Sequence, residues 1–167
     1  RHNHHSHRLT IVPHSSDHLV QELQGFSSEV ACSMIRTSFT PRREHAPRIG
    51  FVMSGQGPQW WGMGRELMRN EPVFRAAIEA CAEAMRPTAR FSLLEELGRD
   101  EASSKLQQTE IAQPAIFAMQ VALAELWKSC GVKPAAIVGH SVGEIAAACV
   151  AGILSLEEAA RVIVLRA

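Results

Sequence analysis

The chain has 167 residues, 46% of them hydrophobic, with seventeen Lys and Arg balancing seventeen Asp and Glu. That length and composition suit one globular core, and the balanced charge, with no long run of one sign, excludes a polyanion-binding role for nucleic acid or an anionic membrane. The four cysteines, Cys32, Cys81, Cys130 and Cys149, are scattered without a C-x-x-C pair, so they read as free thiols of a reducing cytoplasmic compartment.

The chain opens on Arg1 rather than Met, which reads as a piece of a longer polypeptide, and its start lacks the apolar core of a signal peptide. "RHNHHSH" holds four of the eight histidines but no fixed geometry or second ligand cluster for a metal, so a solvated, disordered tail is expected. "RLTIVPHSS" predicts a short strand, and Ser16 or Asp17 a cap for a helix through "HLVQELQGFSSEV". "TPRREHAPR" is a polar connector that sets a domain boundary near residue 47.

Beyond it the pattern becomes α/β. "RIGFVMSG" reads as a buried parallel strand, and "QGPQWWGMGRELM" turns from a loop into a helix. "EPVFRAAIEACAEAM" predicts an amphipathic helix with Val73, Ala77, Ala80 and Cys81 on one face. "SLLEELG" predicts a short helix with a capping box from Ser92 to Glu95 and a terminal Gly98. "QPAIFAMQVALAELWKSCG" follows as a long helix, with Pro114 near its first turn and Gly131 at its end. "AAIVG" is a second strand, "GEIAAACVAG" an Ala-rich buried helix, and "SLEEAARVIVLRA" a last helix with a capping box from Ser155 to Glu158. Strand, helices and strand in alternation predict a parallel sheet. Residues 135–156 are as long and apolar as a membrane span, but His140, Glu144 and three glycines break that reading.

"VGHSVGE" carries the chemistry. Ser141 lies in a G-x-S-x-G turn between a strand and a helix, the context a nucleophile elbow requires. Gly139 and Gly143 leave room for the sharp turn, the serine's own backbone is expected to be strained, and the Val142 N–H at the helix start is placed to bind a developing oxyanion. The competing reading is a serine that only caps the helix. His140 adjoins the serine, yet neighbouring side chains diverge at such a turn, so it reads as a residue packed beside the elbow rather than as the base. His14, His18 and His45 fall in the N-terminal segment, which leaves the base outside this chain.

A second glycine-rich stretch, "SGQGPQWWGMG", resembles a dinucleotide fingerprint but has Trp60 where the third glycine belongs, and no Lys-Ser/Thr follows for a phosphate-binding loop. It predicts a tight loop in which Gln56, between two glycines, turns a backbone N–H into the cleft beside the elbow.

"FVMSGQGPQWWGMGREL", "TEIAQPAIFAMQVAL" and "GHSVGEIAAACVAGILSLEEAARVIVLRA", in this order, resemble the acyltransferase domain of modular polyketide synthases, similar also to malonyl-CoA:acyl carrier protein transacylases, over residues 48–167. The resemblance implies the large, α/β-hydrolase-like subdomain with a parallel sheet, preceded over residues 1–47 by a piece of the linker that follows a ketosynthase. It implies a ping-pong transfer in which Ser141 takes an acyl group from acyl-CoA and passes it to the phosphopantetheine thiol of an acyl carrier protein. The backbone N–H groups of Gln56 and Val142 would form the oxyanion hole. Arg166, twenty-five residues after Ser141, falls where the family places an arginine for the free carboxylate of malonyl-type groups. A planar guanidinium suits a carboxylate. Gln113 would lie in the cleft, and His140 is grouped with it and Arg166 around the substrate. Arg161, about 140° away around the helix, reads as a surface arginine. Val142 resembles the malonyl-selecting members, where methylmalonyl-selecting ones carry glutamine.

By the same resemblance the catalytic histidine, the small ferredoxin-like subdomain and the motif tied to extender-unit choice are expected beyond Ala167, so the domain is expected to be incomplete and inactive alone. No permanently bound cofactor or metal is implied; the partners are acyl-CoA, the carrier protein and a ketosynthase in the same polypeptide. Two alternatives use the same residues: a serine esterase with water as acceptor, for which a carboxylate-binding Arg166 would be wasted, and a non-catalytic docking segment of a synthase.

Overall fold

The computed structural model describes residues 7–28, 35–39 and 48–167. The chain divides into two compact units, Arg1–Pro47 and Arg48–Ala167. The first six residues of the histidine-rich tail, His45 and nearly all of the polar connector lie outside the described residues.

In the first unit, strand β1 (His7–Ile11) pairs antiparallel with strand β2 (Ile35–Phe39), His7 opposite Phe39 and Ile11 opposite Ile35. His7 is thus in a strand rather than in the expected tail, and β2 was not anticipated. Helix α1 (Ser16–Ser27) is capped by Ser15, not by Ser16 or Asp17. The cap must keep an extended backbone while its oxygen reaches the third helical N–H; Ser15, at φ −155° and ψ 168°, does both, accepting from the His18 N–H at 3.1 Å. Asp17 then falls in the first turn, where its charge suits the helix dipole. The helix stops at Ser27, short of the expected Val30.

In the second unit, strands β3 (Gly50–Met53) and β4 (Ala136–Gly139) form a parallel pair in which Gly50 faces Ala136 and Met53 faces Gly139. Helices α2 (Arg65–Asn70), α3 (Pro72–Met85), α4 (Leu93–Gly98) and α5 (Thr109–Ser129) make the crossover between them, as a parallel pair demands. Helices α6 (Val142–Val150) and α7 (Leu156–Arg166) follow β4. The α/β, parallel-sheet expectation holds.

The core forms where α3, α5, α6 and α7 pack together, around Phe74, Ile78, Phe117, Val142 and Ile163, all without exposed surface. On α3 the buried stripe is Phe74, Ile78, Cys81 and Met85, one residue round from the expected face. Cys81 belongs to both stripes, but Val73 and Ala80 are exposed and Ala77 is half-buried. The larger side chains decide: burying Phe74, Ile78 and Met85 removes far more apolar surface than Val73 and two alanines.

Helix α5 begins at Thr109, one turn before the expected start, so Pro114 sits inside it. The missing N–H leaves only the carbonyl of Glu110, an exposed residue, without its helical donor. At the other end Gly131, at φ +83°, closes a Schellman motif: its N–H donates to the Lys128 carbonyl at 2.9 Å and the Val132 N–H to the Trp127 carbonyl at 3.0 Å. The capping box on α7 is complete, with Ser155 and Glu158 each accepting from the other's backbone N–H. On α4 only the serine half forms, Ser92 Oγ accepting from the Glu95 N–H at 3.4 Å. Cys81, Cys130 and Cys149 are free thiols, and Cys32 is outside the described residues. Among the described residues no helix is long and apolar enough to cross a membrane.

Candidate active site

Both strands of the parallel pair end at one level, Met53 beside Gly139, so the segments that leave them run side by side. Ser141 is at the turn from β4 into α6, with φ 56° and ψ −117°, and it has the only positive φ among the described non-glycine residues. A backbone of this kind costs about 1–3 kcal/mol and persists only when its surroundings impose it. They do so here. The His140 N–H donates to the Met53 carbonyl at 3.0 Å, the Gly143 N–H to the His140 carbonyl at 3.0 Å, and the Glu144 N–H to the Ser141 carbonyl at 3.1 Å. A Cβ on Gly143 would collide with the carbonyl oxygen of Met53, and one on Gly139 with the backbone of Glu144. The strained elbow flanked by obligatory glycines, expected from the sequence, is present.

Ser141 stands as the N-cap of α6, but its side chain caps nothing. Its hydroxyl is on the exposed side and accepts from Arg166 Nη2 at 3.1 Å. A serine set in the turn only to cap the helix would spend its oxygen on a backbone N–H, so the capping alternative does not describe Ser141. The Val142 N–H, at the first position of α6, has no acceptor among the described residues, and neither does the Gln56 N–H. Val142's own side chain is fully buried.

Gln56, Gln113, Arg166 and Ser141 form one hydrogen-bonded series. Arg166 Nη1 donates to Gln113 Oε1 at 3.3 Å, and Gln113 Nε2 donates to Gln56 Oε1 at 3.2 Å. Gln56 Nε2 in turn donates to Thr109 Oγ1 at 3.5 Å. Four residues separated widely in sequence thus meet, and Thr109 is a fifth that sequence reasoning missed. Its signal was there, because Thr109 stands one turn before Gln113 in "TEIAQPA" and so shares its face of α5. Gln120 continues that polar stripe, its Nε2 donating to the Ser54 carbonyl at 2.8 Å and to Ser54 Oγ at 3.2 Å.

His140 is exposed, with its ring set against Gly55: a Cβ there would come within 2.9 Å of His140 Nδ1. It makes no hydrogen bond to Ser141. Among the described residues no carboxylate or imidazole accepts from Ser141 Oγ. Arg161 is exposed, as expected of a surface arginine. His14 and His18 belong to the first unit, where their rings stack 5.2 Å apart.

The arrangement can favour charge on oxygen. A guanidinium donor on Ser141 Oγ stabilises developing negative charge there, and the Val142 N–H next to it at the start of α6 has no acceptor among the described residues. Arg166 retains donors for an anionic group that arrives beside the serine.

Comparison with known proteins identifies the family and the fold. The family model described as "Acyl transferase domain" matches residues 50–167. Polyketide synthase GfsE of Streptomyces halstedii is 44% identical over 163 residues, which cover 96% of this chain and 4% of that protein. The acyltransferase domain from module 8 of the salinomycin polyketide synthase superposes with a TM-score of 0.85 at 38% identity, covering 96% of this chain and 38% of that one. The acyltransferase domain of SpnD, solved in complex with 2-(pent-4-yn-1-yl)malonyl, matches with a TM-score of 0.75 at 31% identity over 91% of this chain and 34% of that one. The chain therefore spans a small part of the curated relatives and about a third of the solved domains.

Proposed function

Starting from the fact that the chain belongs to the acyl transferase domain family, we propose that it moves a malonyl-type acyl group from CoA to the phosphopantetheine thiol of an acyl carrier protein through an ester on Ser141. Ser141 Oγ attacks the thioester carbonyl as a general base takes its proton, the tetrahedral oxyanion is held by the N–H groups of Gln56 and Val142, and the C–S bond breaks to release the CoA thiol. The carrier thiol then attacks the ester by the same route, and Ser141 regains its proton. Arg166 binds the free carboxylate, with Gln113 holding the guanidinium in place and His140 closing the site beside the elbow.

The observation that carries this reading is the Arg166 side chain against Ser141 Oγ at 3.1 Å. A cation at the nucleophile serves an acyl group that brings its own negative charge, whereas a neutral ester offers it no partner. The malonyl complex of SpnD supports the substrate class. Malonyl rather than methylmalonyl is favoured only by the resemblance at Val142, whose side chain is buried in the core and offers the acyl group no contact. The Arg1–Pro47 unit is read as the linker between a ketosynthase and this domain, which makes the ketosynthase a neighbour in the same polypeptide and the cytoplasm the compartment. Incubating the full-length polypeptide with malonyl-CoA and mapping the adduct by peptide mass spectrometry tests the reading: the mass belongs on the peptide containing Ser141, and an adduct elsewhere overturns it.

A further inference from the structure

The oxyanion loop has little to hold it. Gln56 is exposed and lies between Gly55 and Gly57; Gly57 is at φ +138°, with nothing within 4 Å of where its Cβ would be. Glycines on both sides give this segment the widest backbone freedom of any sequence. An N–H that is to meet an oxyanion must nevertheless be aimed before the reaction, because preorganisation is the source of its effect. Apart from the His140 ring against Gly55, what restrains the loop is amide chemistry: Gln120 Nε2 holds Ser54 at its start, the Gly57 N–H donates to Gln59 Oε1 at 2.8 Å, and the Gln56 side chain is held at both ends.

That grip has a fixed polarity. Gln56 Oε1 accepts from Gln113 Nε2, which leaves Gln56 Nε2 to face an acceptor, and Thr109 Oγ1 supplies it. Thr109 opens α5 and Gln113 stands one turn later, so one rigid helix provides both contacts. With its amide pinned twice, the Gln56 side chain fixes its own Cα and thereby the direction of its backbone N–H. We infer that Thr109 is a positioning residue of the acyl-transfer reaction, acting through the Gln56 side chain to aim the Gln56 backbone N–H. This rests on the acyl-transfer reading above. Gln113 has a double duty, since its other end holds Arg166, whereas Thr109 touches only the oxyanion side.

The two sides separate in experiment. In the full-length polypeptide, single-turnover acylation of Ser141 is followed by intact mass with malonyl-CoA and with acetyl-CoA, alongside thermal melts of each variant. Thr109→Val keeps the shape and removes the acceptor; it is expected to slow acylation roughly threefold to tenfold, as loss of one neutral hydrogen bond does, by the same factor for both thioesters and without lowering Tm. Thr109→Ser is expected to restore the rate. On a Gln56→Met background, which keeps the backbone N–H and deletes the amide, Thr109→Val is expected to cost nothing further. Parental rates in Thr109→Val, or a full additional loss on the Gln56→Met background, overturn the inference while Ser141 is still acylated in the parent and the acyl-transfer reading stands. A parent polypeptide that takes no acyl group on Ser141 from either thioester overturns both.

Discussion

Arg166 and Ser141 are twenty-five residues apart, at the last residue of α7 and the turn before α6, and yet their side chains are in hydrogen-bond contact at 3.1 Å. The α6–α7 hairpin thus returns a cation to the start of its own first helix. The guanidinium uses the serine oxygen as an acceptor, and in the proposed reaction the acyl carboxylate would compete for the same donors.

From this contact follows a selective loss. Arg166→Ala should lower kcat/KM for malonyl-CoA by about 2–3 kcal/mol, or roughly a hundredfold, as removal of a charged hydrogen bond does, and leave acetyl-CoA unchanged or improved. Steady-state kinetics of both thioesters on the full-length polypeptide checks it. Equal losses would assign Arg166 to the fold rather than to the carboxylate.

Ser141→Gly should separate stability from chemistry. Glycine adopts φ 56° without the Cβ penalty, so the variant is expected to gain about 1 kcal/mol in a denaturant melt while forming no acyl adduct. Ser141→Ala should lose the adduct too, without the gain. A Gly variant less stable than wild type would show that the turn is not strained.

The close approach of the elbow to β3 predicts the opposite behaviour for Gly143→Ala. The added methyl meets the carbonyl oxygens of Met53 and Ser54, which belong to backbone and cannot swing aside. A loss on the order of 2–4 kcal/mol is expected, typical of overpacking against fixed atoms, and a drop in Tm reads it.

Cys81 should be the silent thiol. Burial, and then the neighbouring Cys149, pushes it up to about 12 from 9.0, whereas reactivity requires the thiolate. Under native conditions at pH 8, iodoacetamide should label exposed Cys130 and spare Cys81. The sign for stability follows. Between about pH 9 and 12 the unfolded chain has lost this proton and the folded chain keeps it, so Cys81's contribution is intact below pH 9 and falls as the pH rises toward 12. Cys81→Ala should flatten that part of a stability–pH curve; an unchanged slope would count against a buried neutral thiol.

The legible parts of the sequence were those with local causes. A G-x-S-x-G turn after an apolar run fixes where a strand must end and a helix begin, and Ser155, Gly131 and Pro114 mark or disturb helix ends through their own backbone chemistry. Contacts between distant elements left weaker traces. The α3 face was misjudged by one residue because two stripes share Cys81 and only packing against α5 and α7 selects the heavier one. Strand β2 has its alternation in "IRTSF", apolar or β-branched at every second residue, but five residues among polar neighbours do not announce a partner. At the site, Ser141, Arg166, Gln113 and Gln56 could each be named in advance. That their side chains join in one series, and that Thr109 ends it, depends on the placement of α5 beneath the β3 loop.

The β3–β4 register has the role of a gauge. Met53 opposite Gly139 places Gln56 three residues and Ser141 two residues past a common level, so the offset between the proposed oxyanion donor and the proposed nucleophile is set by which residues pair. Sliding one strand by a single residue would move that offset by about 3.3 Å and turn each side chain to the other face. Hydrogen bonds tolerate a few tenths of an ångström. A slipped sheet would therefore keep its strands and its helices and lose the alignment on which the proposed reaction depends, so substitutions that loosen pairing at Phe51, Val52, Ile137 or Val138 are expected to lower acyl transfer from a distance without touching any residue of the proposed site.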